Sequence, residues 1–206
     1  MKKFIIILIL SLPAFTLRME GQVVEGRCYG QMVEEYVNEP VESSIFFEVE
    51  KYRHSKSLKD ILFDYEIYLA AERHTKYCIK VKDIFHEEDI DVPNHTELTT
   101  LTERMRKTEE GNDVYIIARY ENLAVLSPYN TDGSIRTPEE IGKRVIMLWD
   151  ASPSHNDILN KKGKSNEFFV GAVSVEKSYN YKDNPILNLP YIYVTFNYVK
   201  YVYINN

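Results

Sequence analysis

EIYLAAERHTKYCIKVK, Glu66 to Lys82, is the stretch on which the reading of this chain turns. Up to Glu72 its side chains alternate, with Ile67, Leu69 and Ala71 on one side and Glu66, Tyr68, Ala70 and Glu72 on the other. Past His74 and Thr75 the alternation resumes, with Tyr77, Ile79 and Val81 on one face and Cys78 among lysines on the opposite one. A period of two on both sides of a short polar step predicts two antiparallel strands joined by a tight turn. Upstream, Ser57 to Asp64 opens with a serine cap and sets Leu58, Ile61 and Leu62 on one face of a short helix. Ser43 to Tyr52 reads as a short strand, and Leu17 to Glu42, broken by Gly21, Gly26, Gly30 and Pro40, as an extended arm.

Downstream, strand signals occur at Val114 to Tyr120, Leu123 to Leu126, Arg144 to Trp149, Phe168 to Val175 and Tyr191 to Ile204. Gly171 inside one of them points to a bulge or a close backbone approach. Asp83 to Asp91 is an acidic run, and Thr96 to Arg106 fits strand and helix equally. With about eight strands, few helices and no crossover helices between strands, a parallel βαβ architecture is disfavoured. The expected fold class is all-β: an eight-stranded antiparallel up-and-down barrel with a short N-terminal helix, which leaves an interior for one small ligand. A β-sandwich is the competing architecture.

The 206 residues contain no linker-like run, so a single folded domain is expected. Met1, Lys2 and Lys3 precede an apolar run from Phe4 to Leu10 and a small-residue exit through Ala14 and Thr16, the pattern of a secretory leader. The expected organisation is residues 1–16 as signal peptide, 17–56 as N-terminal arm and 57–206 as barrel, with the product secreted and extracellular. Loss of the leader moves the net charge from -6 to -8. Acidity and scattered lysines exclude nucleic acid as the natural partner, and no second apolar span follows the leader. In a secreted chain the two cysteines, Cys28 and Cys78, suggest a disulfide, with a buried free thiol at Cys78 as the alternative. Asn94-His95-Thr96 is a glycosylation sequon.

No phosphate loop, CxxC, HExxH or G-x-S-x-G is present, and the five histidines lack metal-like pairing. His86, beside Glu87, Glu88 and Asp89, reads as part of a solvated acidic loop rather than as a cation site. Catalysis, a metal and a cofactor are therefore not expected. The remaining candidate is LWDASPSHNDILNKKGKSNEFF, Leu148 to Phe169, which holds the only tryptophan and alternates acids with aromatics. A protonated amine leaving water needs a carboxylate, and an aromatic face adds cation–π attraction on the order of 0.5–2 kcal/mol.

Two segments resemble the salivary lipocalins of blood-feeding ticks: LKDILFDYEIYLAAERHTKYCIKV, Leu58 to Val81, and RVIMLWDASPSHNDILN, Arg144 to Asn160. The amine-binding members of that family carry Cys-Asp-aliphatic, a spacer and Glu-Leu-Trp. Here Asp157 and Ile158 match the first part and Glu167 the second, Phe169 stands for the tryptophan, and Asn156 departs from the cysteine. The resemblance implies a monomeric salivary glycoprotein sequestering histamine or serotonin through Asp157, Glu167, Trp149, Phe169 and Tyr68, with Asp60 and Asp150 as weaker contributors. A lipid mediator in the same barrel is one alternative. A protein-binding surface built on Tyr191, Tyr193, Tyr201 and Tyr203 of the last strand is another.

Overall fold

The computed structural model describes residues 40–89, 92, 100–105, 114–178 and 191–203. In it Glu66 to Lys82 is no hairpin: Tyr65–Val81 forms one helix. Asp64 caps its N-terminus by accepting from the Ile67 N–H at 3.1 Å, and Lys82, in the left-handed region at φ 59°, closes the other end. The stripe that the helix buries is Ile67, Ala70, Ala71, His74, Thr75 and Cys78, a helical repeat in which two polar residues and two alanines weaken the apolar signal.

The described elements run in the order α1 (Pro40–Ser55), β1 (Ile61–Phe63), α2 (Tyr65–Val81), α3 (Leu101–Arg104), β2 (Val114–Leu126), α4 (Pro138–Ala151), α5 (Pro153–Leu159), β3 (Glu167–Ser178) and β4 (Tyr191–Tyr203). Four strands make one open sheet in the order β1-β3-β4-β2. β1 lies parallel to β3, with Ile61 opposite Phe169, while β4 is antiparallel to both β3 and β2. A register shift between Ile116 and Ala118 marks a bulge in β2. Gly171 is a close approach: a Cβ there would stand 2.5 Å from Tyr198 Cβ and 2.7 Å from the Asn197 carbonyl oxygen.

Alternation along the strands assigns the helices to opposite faces. Glu121, Thr195 and Tyr193 share one face, and α2 covers it: Thr75 Oγ1 donates to Thr195 Oγ1 at 2.8 Å, and Tyr77 and Cys78 cluster with Tyr193. Phe169, Phe196 and Tyr198 share the other, under α1, α4 and α5. There Trp149 stacks on Phe196 with centroids 5.8 Å apart and donates its indole N–H to the Leu123 carbonyl at 2.9 Å. α1 and α4 meet where Gly142 faces Ser44, and a Cβ on Gly142 would lie 2.9 Å from Ser44 Oγ. The result is an α-β-α sandwich within the compact unit Pro40–Asn206.

This architecture overturns the barrel, the β-sandwich and the lipocalin resemblance together, since the sheet is open, mixed and covered by helices on both faces. Ser43 to Tyr52 lies inside α1, Arg144 to Trp149 inside α4, and the short helix expected at Ser57 to Asp64 contains β1 instead. The segment taken as an arm thus contributes a packed helix. α4 carries a capping box, Thr137 with Glu140, and Pro138 in its first turn. With no barrel there is no barrel interior, so the sequestered amine and the lipid alternative lose their site. The tyrosine face fails as well, because Tyr193 is buried and Tyr201 stacks on Phe168 at 5.2 Å, leaving only Tyr203 well exposed. No helix among the described residues is long and apolar enough to cross a membrane.

Candidate functional site

Four segments bring ionisable side chains together on the α2 side of the sheet. α2 contributes His74 and β2 contributes Glu121. The chain leaving α2 folds back with His86 and Glu88, pinned where the Asp89 N–H donates to Tyr77 Oη at 2.8 Å, and α3 supplies Arg104. His74 Nδ1 lies 2.7 Å from Glu88 Oε1, and its Nε2 3.6 Å from Glu121 Oε1. Arg104 bridges the two acids, with Nη2 2.9 Å from Glu121 Oε2 and Nη1 3.5 Å from Glu88 Oε1. All four side chains are shut off from solvent, and such burial is tolerable only because each charge meets an opposite one. Burial pushes the Glu121 carboxyl up. The hydrogen bond from His86 and the charges of His74, Arg104 and His86 outweigh that effect and hold it below the usual carboxylate range.

His86 is the member of the group that meets solvent. Its Nδ1 sits 3.0 Å from Glu121 Oε1 while 58% of its side chain is exposed, and Arg104 Nη2 donates to its carbonyl at 3.0 Å. Beside it a cavity of about 430 Å³ stands wide open to solvent, lined by His86, Glu87, Glu121, Arg119 and Tyr120 and flanked by Thr100, Thr102 and Ile158. Tyr120 and Glu121 are consecutive and point to opposite faces, so the cavity wraps the outer edge of β2, with α3 on one flank and α5 on the other. His155 of α5 has its pKa lowered by burial and by the charge of His86.

Cys78 Sγ lies 3.8 Å from His74 Nε2, so thiol, imidazole and carboxylate follow one another as in a nucleophilic relay. Burial opposes that use and pushes the thiol up to about 12. Cys78 is a buried free thiol, while Cys28 lies outside the described residues, as does Asn94.

None of the sequence-derived ligand residues lines the cavity. Asp157 is exposed on α5 and paired with Lys161 at 2.5 Å. Glu167, at the start of β3, accepts from the Lys164 N–H at 2.9 Å, a bond that, together with Lys200, holds its carboxyl low against the opposing effect of burial. Trp149 and Phe169 are core residues, Phe169 with the Arg53 guanidinium 4.9 Å above its ring. Tyr68 stacks on Tyr65 at 5.9 Å, Asp150 accepts from Tyr52 Oη at 2.8 Å, and Asp60 pairs with His54. The acids and aromatics of Leu148 to Phe169 are therefore divided among helix surface, turn and core. Sequence reasoning missed His74, Glu88, Arg104 and Glu121, and it placed His86 in open solvent. The signal available was His74 and Cys78 at helical spacing, visible once Tyr65–Val81 is read as a helix.

No family model matches the sequence, and no curated protein matches it. Among solved structures, an extracellular protein containing an SCP domain from Bacillus anthracis superposes with a TM-score of 0.49 at 17% identity, over 77% of this chain and 40% of that one. An outer surface protein from Borrelia burgdorferi superposes with a TM-score of 0.45 at 18% identity, over 74% of this chain and 88% of that one. The match thus spans about two fifths of the Bacillus protein.

Proposed function

We infer that this is a secreted binding domain that holds a small hydrogen-bonding ligand in the cavity at the outer edge of β2, with His86 as the contacting ring and without bond chemistry. The observation that carries the reading is His86 itself, the exposed ring of an otherwise buried cluster, fixed by Glu121 at 3.0 Å on the wall of a cavity of about 430 Å³. That volume falls in the range of small-molecule sites, and a ring held from behind loses little freedom when a ligand arrives. Around the cavity Arg119 stands against Glu87, while Glu121 is already paired with Arg104, which favours a polar ligand of little net charge. Binding is preferred to catalysis because the thiol beside His74, with its pKa near 12, is protonated at neutral pH. The leader-like run from Met1 to Thr16 supports export.

The test is amide NMR of the full chain titrated separately with glucose, glycine and acetate as neutral, zwitterionic and anionic probes. Saturable shifts at Tyr120 and Glu121 with glucose or glycine, lost in His86→Ala, support the reading. Shifts with none of the probes, with acetate alone, or equally in His86→Ala, refute it.

A further inference from the structure

On the helix side opposite the cavity cluster, Glu50, His54 and Asp60 bring three metal-type donors together. Their ligating atoms all lie within 4.8 Å of one another. Glu50 and His54 are four residues apart on α1 and so share one helix face, and Asp60 comes back over them on the way into β1. We propose that Glu50, His54 and Asp60 form a surface site for a divalent transition-metal ion of the zinc class.

Donor chemistry selects the ion: one imidazole nitrogen with two carboxylates suits zinc, cobalt or nickel, whereas calcium and magnesium take oxygen ligands. Around a tetrahedral zinc, adjacent donors stand about 3.4 Å apart, so the three ligand atoms, already within 4.8 Å of one another, have only to draw closer to enclose the ion. Glu50 is already oriented, because its Oε1 accepts from the Ile61 N–H at 2.9 Å, and such outer bonds are what hold ligating carboxylates in place. His54 is exposed and pairs with Asp60 directly, so an ion entering from solvent would take the place of that hydrogen bond. The Arg53 guanidinium also interacts with Glu50 and Asp60 and offsets part of their charge. The two carboxylates supply the negative charge that draws a cation to the site. The site is independent of the cavity, since neither His86 nor Glu121 takes part.

The experiment is calorimetric titration of the full, tag-free, chelator-stripped chain with zinc chloride at pH 7.5, paired with visible absorption of the cobalt form. One equivalent of zinc should bind, His54→Ala and Asp60→Asn should each weaken it at least tenfold, and the cobalt bands of a nitrogen-ligated site should vanish in His54→Ala. Nickel-induced broadening of the His54 ring signals in the unaltered chain gives a readout that needs no variant to fold. The proposal is overturned if no zinc binds, if affinity is unchanged in both variants, or if binding survives His54→Ala and disappears in His86→Ala.

Discussion

Replacing Arg53 by methionine should be among the most damaging single changes outside the sheet. Arg53 ends α1 fully buried, and its guanidinium reaches three carbonyls: Nε to Lys59 at 2.9 Å, Nη1 to Leu159 at 2.8 Å and Nη2 to Lys161 at 3.2 Å. Methionine refills much of the stem but donates nothing. The Leu159 bond is buried and the other two partly so. Hydrogen bonds from a charged donor contribute about 1.5–3 kcal/mol, and a carbonyl left dry loses its desolvation offset. Allowing the full amount for the buried bond and about 1 kcal/mol for each of the others gives a loss of about 3.5–5 kcal/mol, against a total stability of about 5–15 kcal/mol. For a domain of this size that lowers Tm by about 7–20 °C. Urea unfolding followed by the single buried tryptophan, Trp149, reads the change directly, with Arg53→Lys expected to fall between the two because an ammonium lacks the planar fork. A loss under about 1 kcal/mol for Arg53→Met refutes the assignment, since it means that water serves those carbonyls equally well.

Acid sensitivity follows from Glu121. Its carboxyl is held below the unfolded value of about 4.3, so it stabilises the fold fully above that value and progressively less as pH falls from about 5 toward the native pKa; Glu121→Gln should flatten this part of a pH–stability curve while lowering stability at pH 7. His155 adds a second step: lowered in the fold, it contributes above about pH 6.5 and less below, and a His155→Gln chain should lack that slope in pH-dependent melts. Gly171→Ala should cost more than about 3 kcal/mol, or prevent soluble expression, because the new methyl meets Tyr198 and the Asn197 carbonyl inside van der Waals contact. Thr137→Ala removes the hydroxyl that accepts from the Glu140 N–H and should cost about 1 kcal/mol in thermal melts.

β3 and β4 were legible because both are long runs rich in β-branched and aromatic residues, a signal that neither burial nor partner strand changes. The helices were not. α2 buries His74 and Thr75 in its stripe, and a stripe that includes polar residues lets the accidental alternation of Ile67, Leu69 and Ala71 dominate. α4 carries Val145, Ile146 and Trp149 at helical spacing, but Met147 and Leu148 are exposed between them, so the segment reads as a continuous apolar strand. Its Thr137 and Glu140 capping box was the contrary sign. The site was hidden for a related reason. Glu121 and Asn122 looked like a break between two strands, yet β2 runs through them and buries both, and hydropathy is blind to a buried acid whose partners come from three other segments. Glu88 and His86 looked solvated because they stand in an acidic run. Only the tertiary position of Arg104 and His74 draws Glu88 inside.

The strand order β1-β3-β4-β2 also dictates a sequence of events. The two central strands are the last described elements to be synthesised, and both edge strands, β1 and β2, precede them. Until residues 191–203 leave the ribosome, neither β2 nor β3 has its β4 partner, and α2 has only part of the surface it covers. Pairings such as that of Arg53 with Leu159 join residues 106 apart in the chain. A chain organised this way cannot complete its sheet until β4 has been made, and it closes that sheet on the slower timescale of non-local topologies.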